Sequence, residues 1–199
     1  MTMLRRLVLV RHGETDGDSS VRFHGSSDVA LSAEGSAQMR AVSASLGDER
    51  LDLVVASPLR RAWRSAWIVG RGAPVQLDAD FREIHFGRWE GLTKEEIQAS
   101  DPALYEDWQN RAEGFEFPGG EPRAEFRERV QKGIDRLLSA PVRSALVVVH
   151  KGVIRTIAQT LIGEDPSEER LQLGSAIQLT RHRGTWSEGR RSSNPPGVE

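Results

Sequence analysis

No cysteine occurs among the 199 residues. That removes disulfides, thiolate nucleophiles and cysteine-ligated metals, and it agrees with a reducing cytoplasm. Long apolar runs are missing as well. A membrane-spanning helix needs about 20 apolar residues in succession, and the N-terminal apolar stretch is only Leu7-Val8-Leu9-Val10. That stretch is also too short for the core of a signal peptide. Nor is there a large charge of either sign: 27 basic against 29 acidic residues leave −2. The overall balance therefore invites neither nucleic acid nor an acidic membrane, and any positive potential that matters has to be local. The expectation is a cytoplasmic globular protein without nucleic-acid or membrane partners. Its oligomeric state is not legible.

What is present suits one domain of average size, placed at 1–188 with a polar tail over 189–199 that contains Pro195-Pro196. Three short apolar runs, Leu7–Val10, Leu51–Ala56 and Ala145–Val149, have the character of strands buried on both faces. Helical patterns lie between them. Ser32 is placed as the N-cap of a helix carrying Met39, Val42 and Leu46. Pro58 opens a second helix bearing Ala62, Trp63, Ala66 and Trp67, with both tryptophans assigned to the core. Phe126, Val130, Ile134 and Leu137 mark a third helix, and Gly152–Ile162 a fourth. Such alternation predicts an α/β fold, a three-layer sandwich with a mostly parallel sheet and helices on both faces. From Leu92 to Pro122 the pattern changes to short helices and a loop. Trp89 fits either core or ligand stacking.

Function is suggested where the strands stop, because open α/β sheets bind ligands beyond the carboxyl ends of their strands. The three runs lead into Arg11-His12-Gly13-Glu14-Thr15, Ser57-Pro58-Leu59-Arg60-Arg61 and His150-Lys151-Gly152. Clustered buried cations are costly without an anion, and an anionic substrate is the simplest partner. Arginine forks match phosphate oxygens, and helix N-termini add oriented N–H groups. A neutral imidazole is a competent nucleophile towards phosphorus, and Arg11 and Arg61 disfavour its protonation. Gly13 is read as clearing space for the attacking ring. Glu83, with apolar neighbours in Phe81-Arg82-Glu83-Ile84-His85-Phe86, is the candidate proton donor.

These motifs, in this order over about residues 7–155, resemble the histidine phosphatase superfamily, the phosphoglycerate-mutase-like proteins. Arg11-His12-Gly13-Glu14-Thr15 matches its signature. Ser57-Pro58-Leu59-Arg60-Arg61-Ala62 matches a Ser-x-Leu-x-Arg-Ala pattern that gives the phosphate role to Arg61 rather than Arg60. Glu83 opens a Glu-x-x-Phe-Gly-x-Trp-Glu-Gly match ending at Gly91, and Phe23-His24-Gly25 to Asp28 also follows the family. The resemblance implies a phosphohistidine on His12, Glu83 as acid and then base, and Arg11, Arg61 and His150 on the phosphoryl oxygens. It implies a phosphatase of the broad-specificity or α-ribazole-phosphate type, acting on a small phosphorylated metabolite without metal or cofactor.

Two positions depart from the family pattern. Asp18 stands where asparagine is frequent, as an anion that would repel a phosphate dianion. Lys151 stands where glycine is frequent, with its backbone N–H still able to reach phosphate. Arg22, His24 and Asp18 are the candidates in a substrate loop. Three other readings compete with the phosphatase: a mutase returning the phosphoryl group to a hydroxy acid, a non-catalytic phospho-ligand module, and a metal site of His12, His150 and Glu83. Arg11 and Arg61 oppose the last by repelling a cation. Asp16-Gly17-Asp18 lacks the rest of a calcium loop.

Overall fold

The computed structural model of the protein describes residues 3–47 and 51–189. The expected tail therefore lies outside the described residues beyond Gly189. Six strands are present: β1 (Arg6–Arg11), β2 (Leu53–Ala56), β3 (Gln76–Leu77), β4 (Ser144–Val149), β5 (Ala176–His182) and β6 (Thr185–Glu188). They form one sheet in the order β3-β2-β4-β1-β5-β6. The first four run parallel, while β5 lies antiparallel to β1 and β6 antiparallel to β5. Three of these were not among the apolar runs: β3 has two exposed residues, β5 alternates buried and half-buried ones, and β6 is a short edge strand.

The continuous apolar character of β1, β2 and β4 follows from having helices on both sides. Alternate side chains point to opposite faces of a sheet. Val8, Val10, Val54, Ala56, Leu146 and Val148 pack on one face against Met39 and Val42 of α1 (Ala33–Ser45) and Ala66 and Val69 of α2 (Arg60–Val69). Leu7, Leu9, Val55, Val147 and Val149 pack on the other. There they meet Phe126, Val130, Ile134 and Leu137 of one helix and Val153, Ile154 and Ile157 of another. Those two helices run over Arg123–Ser139 and Lys151–Ile162. The result is a mixed sheet between two helical layers.

Two helices are shorter, Lys94–Ser100 and Pro102–Gln109. In chain order the last four helices are thus α3, α4, α5 and α6. The shorter pair forms a separate aromatic core in the middle segment, in which Trp89 is fully buried beside Tyr105 and Phe115. The Trp89 indole N–H donates to Asp101 Oδ2 at 2.9 Å, so its role is packing.

Local signals set the helix boundaries. Ser32 caps α1 by accepting from Gly35 N–H at 3.0 Å, as expected. Pro58 is not in the first turn of α2, which begins at Arg60 after an extended Leu59. The first N–H of α2 is capped from a distance instead, by Asp28 Oδ1 accepting from Arg60 N–H at 2.7 Å. Trp67 also departs from expectation. It is 47% exposed, with the Arg64 guanidinium 5.0 Å from its ring centroid. The pair forms a surface stack rather than core. Among the described residues no helix is long and apolar enough to cross a membrane.

Candidate active site

The parallel strands deliver their terminal residues to one edge. His12 follows β1, His150 follows β4 and caps the start of α6, and Arg61 lies in the first turn of α2. The two imidazoles meet with ring centroids 5.1 Å apart and planes inclined at 62°. Both are buried, as are Arg61 and Glu83.

One hydrogen bond decides which nitrogen of His12 can react. Nδ1 lies 2.8 Å from the Gly13 carbonyl. A carbonyl only accepts, so Nδ1 carries the proton and Nε2 keeps its lone pair. Arg61 Nε donates weakly to Nε2 at 3.3 Å. Burial, followed by the charges of Arg61 and Arg11, holds the His12 pKa well below the usual imidazole range. For His150 the causes are burial and then Arg61, His12 and Arg11, in the same direction. Both rings are therefore neutral at physiological pH.

The arginines divide their work differently from the expectation of two open forks. Arg61 Nη1 donates to the Ser27 carbonyl at 2.6 Å, and Nη2 donates to the His24 and Gly25 carbonyls at 3.0 and 2.6 Å. With Nε on His12, four of its five N–H groups are occupied. Arg61 thus straps residues 24–27 over the site and has one N–H left for an anion. Burial lowers its pKa to about 10. Arg11 is the opener clamp. Nη1 donates to the Leu171 carbonyl at 2.6 Å, and Nε is buried without a partner. Both ring nitrogens of His150 are also buried and unpartnered.

Glu83 is buried between Phe81 and Ile84 in the chain, and its carboxylate takes two backbone donors. Its Oε1 accepts from Ile84 N–H at 3.0 Å, and Oε2 accepts from Gly152 N–H at 2.9 Å. Its charge acts on Arg11 and Arg61. Gly152 is required here, since a Cβ on it would come within 2.5 Å of Glu83 Oε1. Gly13 has a different role from the one expected. A Cβ there would meet the Gly35 backbone at 2.5 Å, so the residue permits close approach of the β1 loop to α1 rather than room for the ring.

His12, His150, Glu83, Arg11 and Arg61 therefore converge. The remaining candidates are placed less directly. Lys151 follows His150, but its ammonium pairs with Glu168 at 2.5 Å. Arg22 ties the 14–28 loop to α3, donating to the Gly91 carbonyl at 2.7 Å and Glu96 at 3.0 Å. Asp18 is exposed, with a left-handed φ of 56°. His24 donates through Nε2 to the Gly17 carbonyl, and its charge is close enough to act on His12.

Two organising residues escaped the sequence reading. Glu90 accepts from the N–H groups of Gly25, Ser26, Ser27 and Phe86 and from the Ser27 hydroxyl. It anchors the strap that Arg61 grips from the other side. Its place in the Trp89-Glu90-Gly91 motif was the available signal. Arg129 of α5 donates to the carbonyls of Asp80, Arg82 and Glu83 and pairs with Glu121 at 2.5 Å. It fixes the backbone that carries Glu83, and nothing in the sequence marks it.

Concavity alone would have pointed elsewhere. A cleft of about 570 Å³ lined by Glu169, Arg170, Ser175, Gln178 and Glu188 contains none of these groups. Among the described residues no set of three histidines, cysteines or acidic residues is arranged to hold a metal.

The family described as the histidine phosphatase superfamily (branch 1) matches residues 7–192. A glucosyl-3-phosphoglycerate phosphatase of Mycobacterium tuberculosis is 34% identical over 93% of this chain and 88% of its own length. Phosphoserine phosphatase 1 of Hydrogenobacter thermophilus is 30% identical over 82% of this chain and 79% of its own. Among solved structures, the α-ribazole phosphatase of Shigella flexneri superposes with a TM-score of 0.80 at 30% identity, covering 98% of this chain and 99% of that one.

Proposed function

The chain belongs to the histidine phosphatase superfamily, and from that premise we propose a phosphomonoesterase that works through a phosphohistidine on His12. It acts on small phosphorylated metabolites, as its named relatives do. One observation carries the assignment of roles. The buried unpartnered nitrogens of Arg11 and His150 flank an imidazole whose Nε2 is kept unprotonated by the commitment of Nδ1–H to the Gly13 carbonyl.

In the first step the Nε2 lone pair attacks phosphorus and the ester P–O bond breaks. The leaving oxygen takes a proton from Glu83. The imidazole acquires positive charge, which the Gly13 carbonyl eases through Nδ1–H. Arg11, the remaining N–H of Arg61 and an N–H of His150 take the three phosphoryl oxygens, matching charge that grows in the transition state. In the second step water attacks phosphorus, Glu83 accepts its proton, the P–N bond breaks and phosphate leaves. His12 returns neutral with no net redox change.

Turnover to free phosphate, rather than return of the group to a second hydroxyl, is supported by the phosphatase names of these relatives. A cytoplasmic location, compatible with a cysteine-free chain, belongs to the same proposal. The test is to trap labelled phosphoenzyme from an aryl phosphate. Label should appear in the wild type and be missing from His12→Ala, with phosphate release falling by at least about 10⁴-fold. Unchanged hydrolysis by His12→Ala would falsify the assignment. Accumulation of an isomeric phosphoester in place of free phosphate would identify a mutase.

A further inference from the structure

Lys151 is one residue from His150, and its ammonium is held in an ion-pair cluster. Lys151 and Arg155 lie at i and i+4 on α6, on one face of the helix. Between them they hold a single carboxylate in a two-pronged grip. Glu168 Oε2 is 2.5 Å from Lys151 Nζ, and Glu168 Oε1 is 2.7 Å from Arg155 Nη2. The gripping side chains are 37% and 24% exposed, while Glu168 itself is 63% exposed on a short 3-10 turn, Glu168–Leu171.

Among the ion-paired groups the cations outnumber the carboxylates. Arg155 Nη1 also pairs with Asp165 at 2.9 Å, and Asp165 is shared with Arg111 at 3.3 Å. Three cations thus surround two carboxylates, and Arg155 Nε is buried without a partner. The cluster adjoins the proposed phosphate site electrically and mechanically. Arg11 interacts through its charge with both Lys151 and Glu168, and its Nη1 grips Leu171 at the end of the Glu168 turn.

We propose that Lys151 and Arg155 form a carboxylate subsite, and that Glu168 is an internal stand-in for the carboxylate of the substrate. This inference rests on the phosphatase reading and narrows its substrate class to phosphomonoesters with a carboxylate a few bonds from the phosphate. Exposed ion pairs are weakly held, so Glu168 is readily displaced. A substrate already anchored through its phosphate presents its carboxylate at high effective concentration. Lys151 is then a specificity residue, occupying a helix start where a smaller residue would leave only a backbone N–H.

The experiment uses phosphonates, which bind without turnover. Dissociation constants of phosphonopropionate and propylphosphonate are measured by calorimetry on the full chain. The wild type should favour the carboxylated compound by about tenfold, the scale of a charge-assisted hydrogen bond. Lys151→Met should abolish that preference, and Glu168→Gln, at an exposed position, should enlarge it several-fold. Equal binding of the two compounds by the wild type and by Glu168→Gln overturns the subsite. So does a full preference retained in Lys151→Met. Hydrolysis of an aryl phosphate is followed in parallel. Preference without any hydrolysis would sink the phosphatase and leave the subsite standing, whereas hydrolysis without preference would do the reverse.

Discussion

His12 illustrates how one hydrogen bond and two charges set the reactivity of a residue. With Nδ1–H committed to a carbonyl, protonation can occur only at Nε2, where burial and the arginines oppose it. The acid limb of kcat/KM for the free enzyme is therefore expected well below pH 6.5, the ordinary value for the ring. A pH–rate profile checks this, and a limb at 6.5 or above would remove the argument. Glu83 makes a second prediction at this scale. Glu83→Gln should lower kcat about 10²–10⁴-fold for alkyl phosphates. The loss should be much smaller for an aryl phosphate, whose leaving group needs little help from a proton. A uniform loss across leaving groups would mean that the carboxylate positions rather than donates.

Elements act here through backbone groups. The strap at residues 24–27 is neither helix nor strand, and it is held from both sides. Its carbonyls take the N–H groups of Arg61, and its amides donate to Glu90. Glu90→Ala leaves those amides without their acceptor and should cost about 2–3 kcal/mol of stability. It should also raise KM by releasing the grip that orients Arg61, read by denaturant unfolding alongside steady-state kinetics. Intact stability and an unchanged KM would show that the strap holds itself. The strap also shows what a sequence conceals. The strands ending at His12 and His150 were legible because a fully covered strand reads as unbroken apolar residues followed by abrupt polarity. Arg129 was not legible and Glu90 was marked only by its motif, since both work through main-chain amides and carbonyls that belong to no particular residue type. Pro58 misled for a related reason. The cap of α2 comes from Asp28, which is distant in the chain.

At the scale of the molecule, the sheet places two neutral imidazoles in its interior, which ties stability to pH. In the unfolded chain each ring takes up a proton near pH 6.5, while the folded rings resist it. Below pH 6.5 the unfolded state therefore binds more protons, and stability falls as pH drops. Each ring contributes a slope of up to about 1.4 kcal/mol per pH unit until its folded pKa is reached. Above that window neither ring contributes. Thermal melts between pH 7.5 and 5 should show the decline, and His150→Gln should flatten it. A flat wild-type profile would mean that the rings are not held neutral by the fold. The layered architecture was readable from three apolar runs, but the two margins of the sheet were less so. β6 is a short edge strand with one buried side chain, and β3 is two exposed residues.

The grip of Arg61 on Nε2 of His12 has a consequence for the catalytic cycle. Once phosphorus occupies that nitrogen, Arg61 Nε loses its acceptor and must turn to the phosphoryl oxygens, while its other donors still hold the carbonyls of residues 24–27. The covalent state of one atom is thereby transmitted to a largely covered segment that begins twelve residues further along the chain. Amide exchange at Gly25, Ser26 and Ser27 should differ between resting and phosphorylated enzyme, making the segment a built-in reporter of turnover.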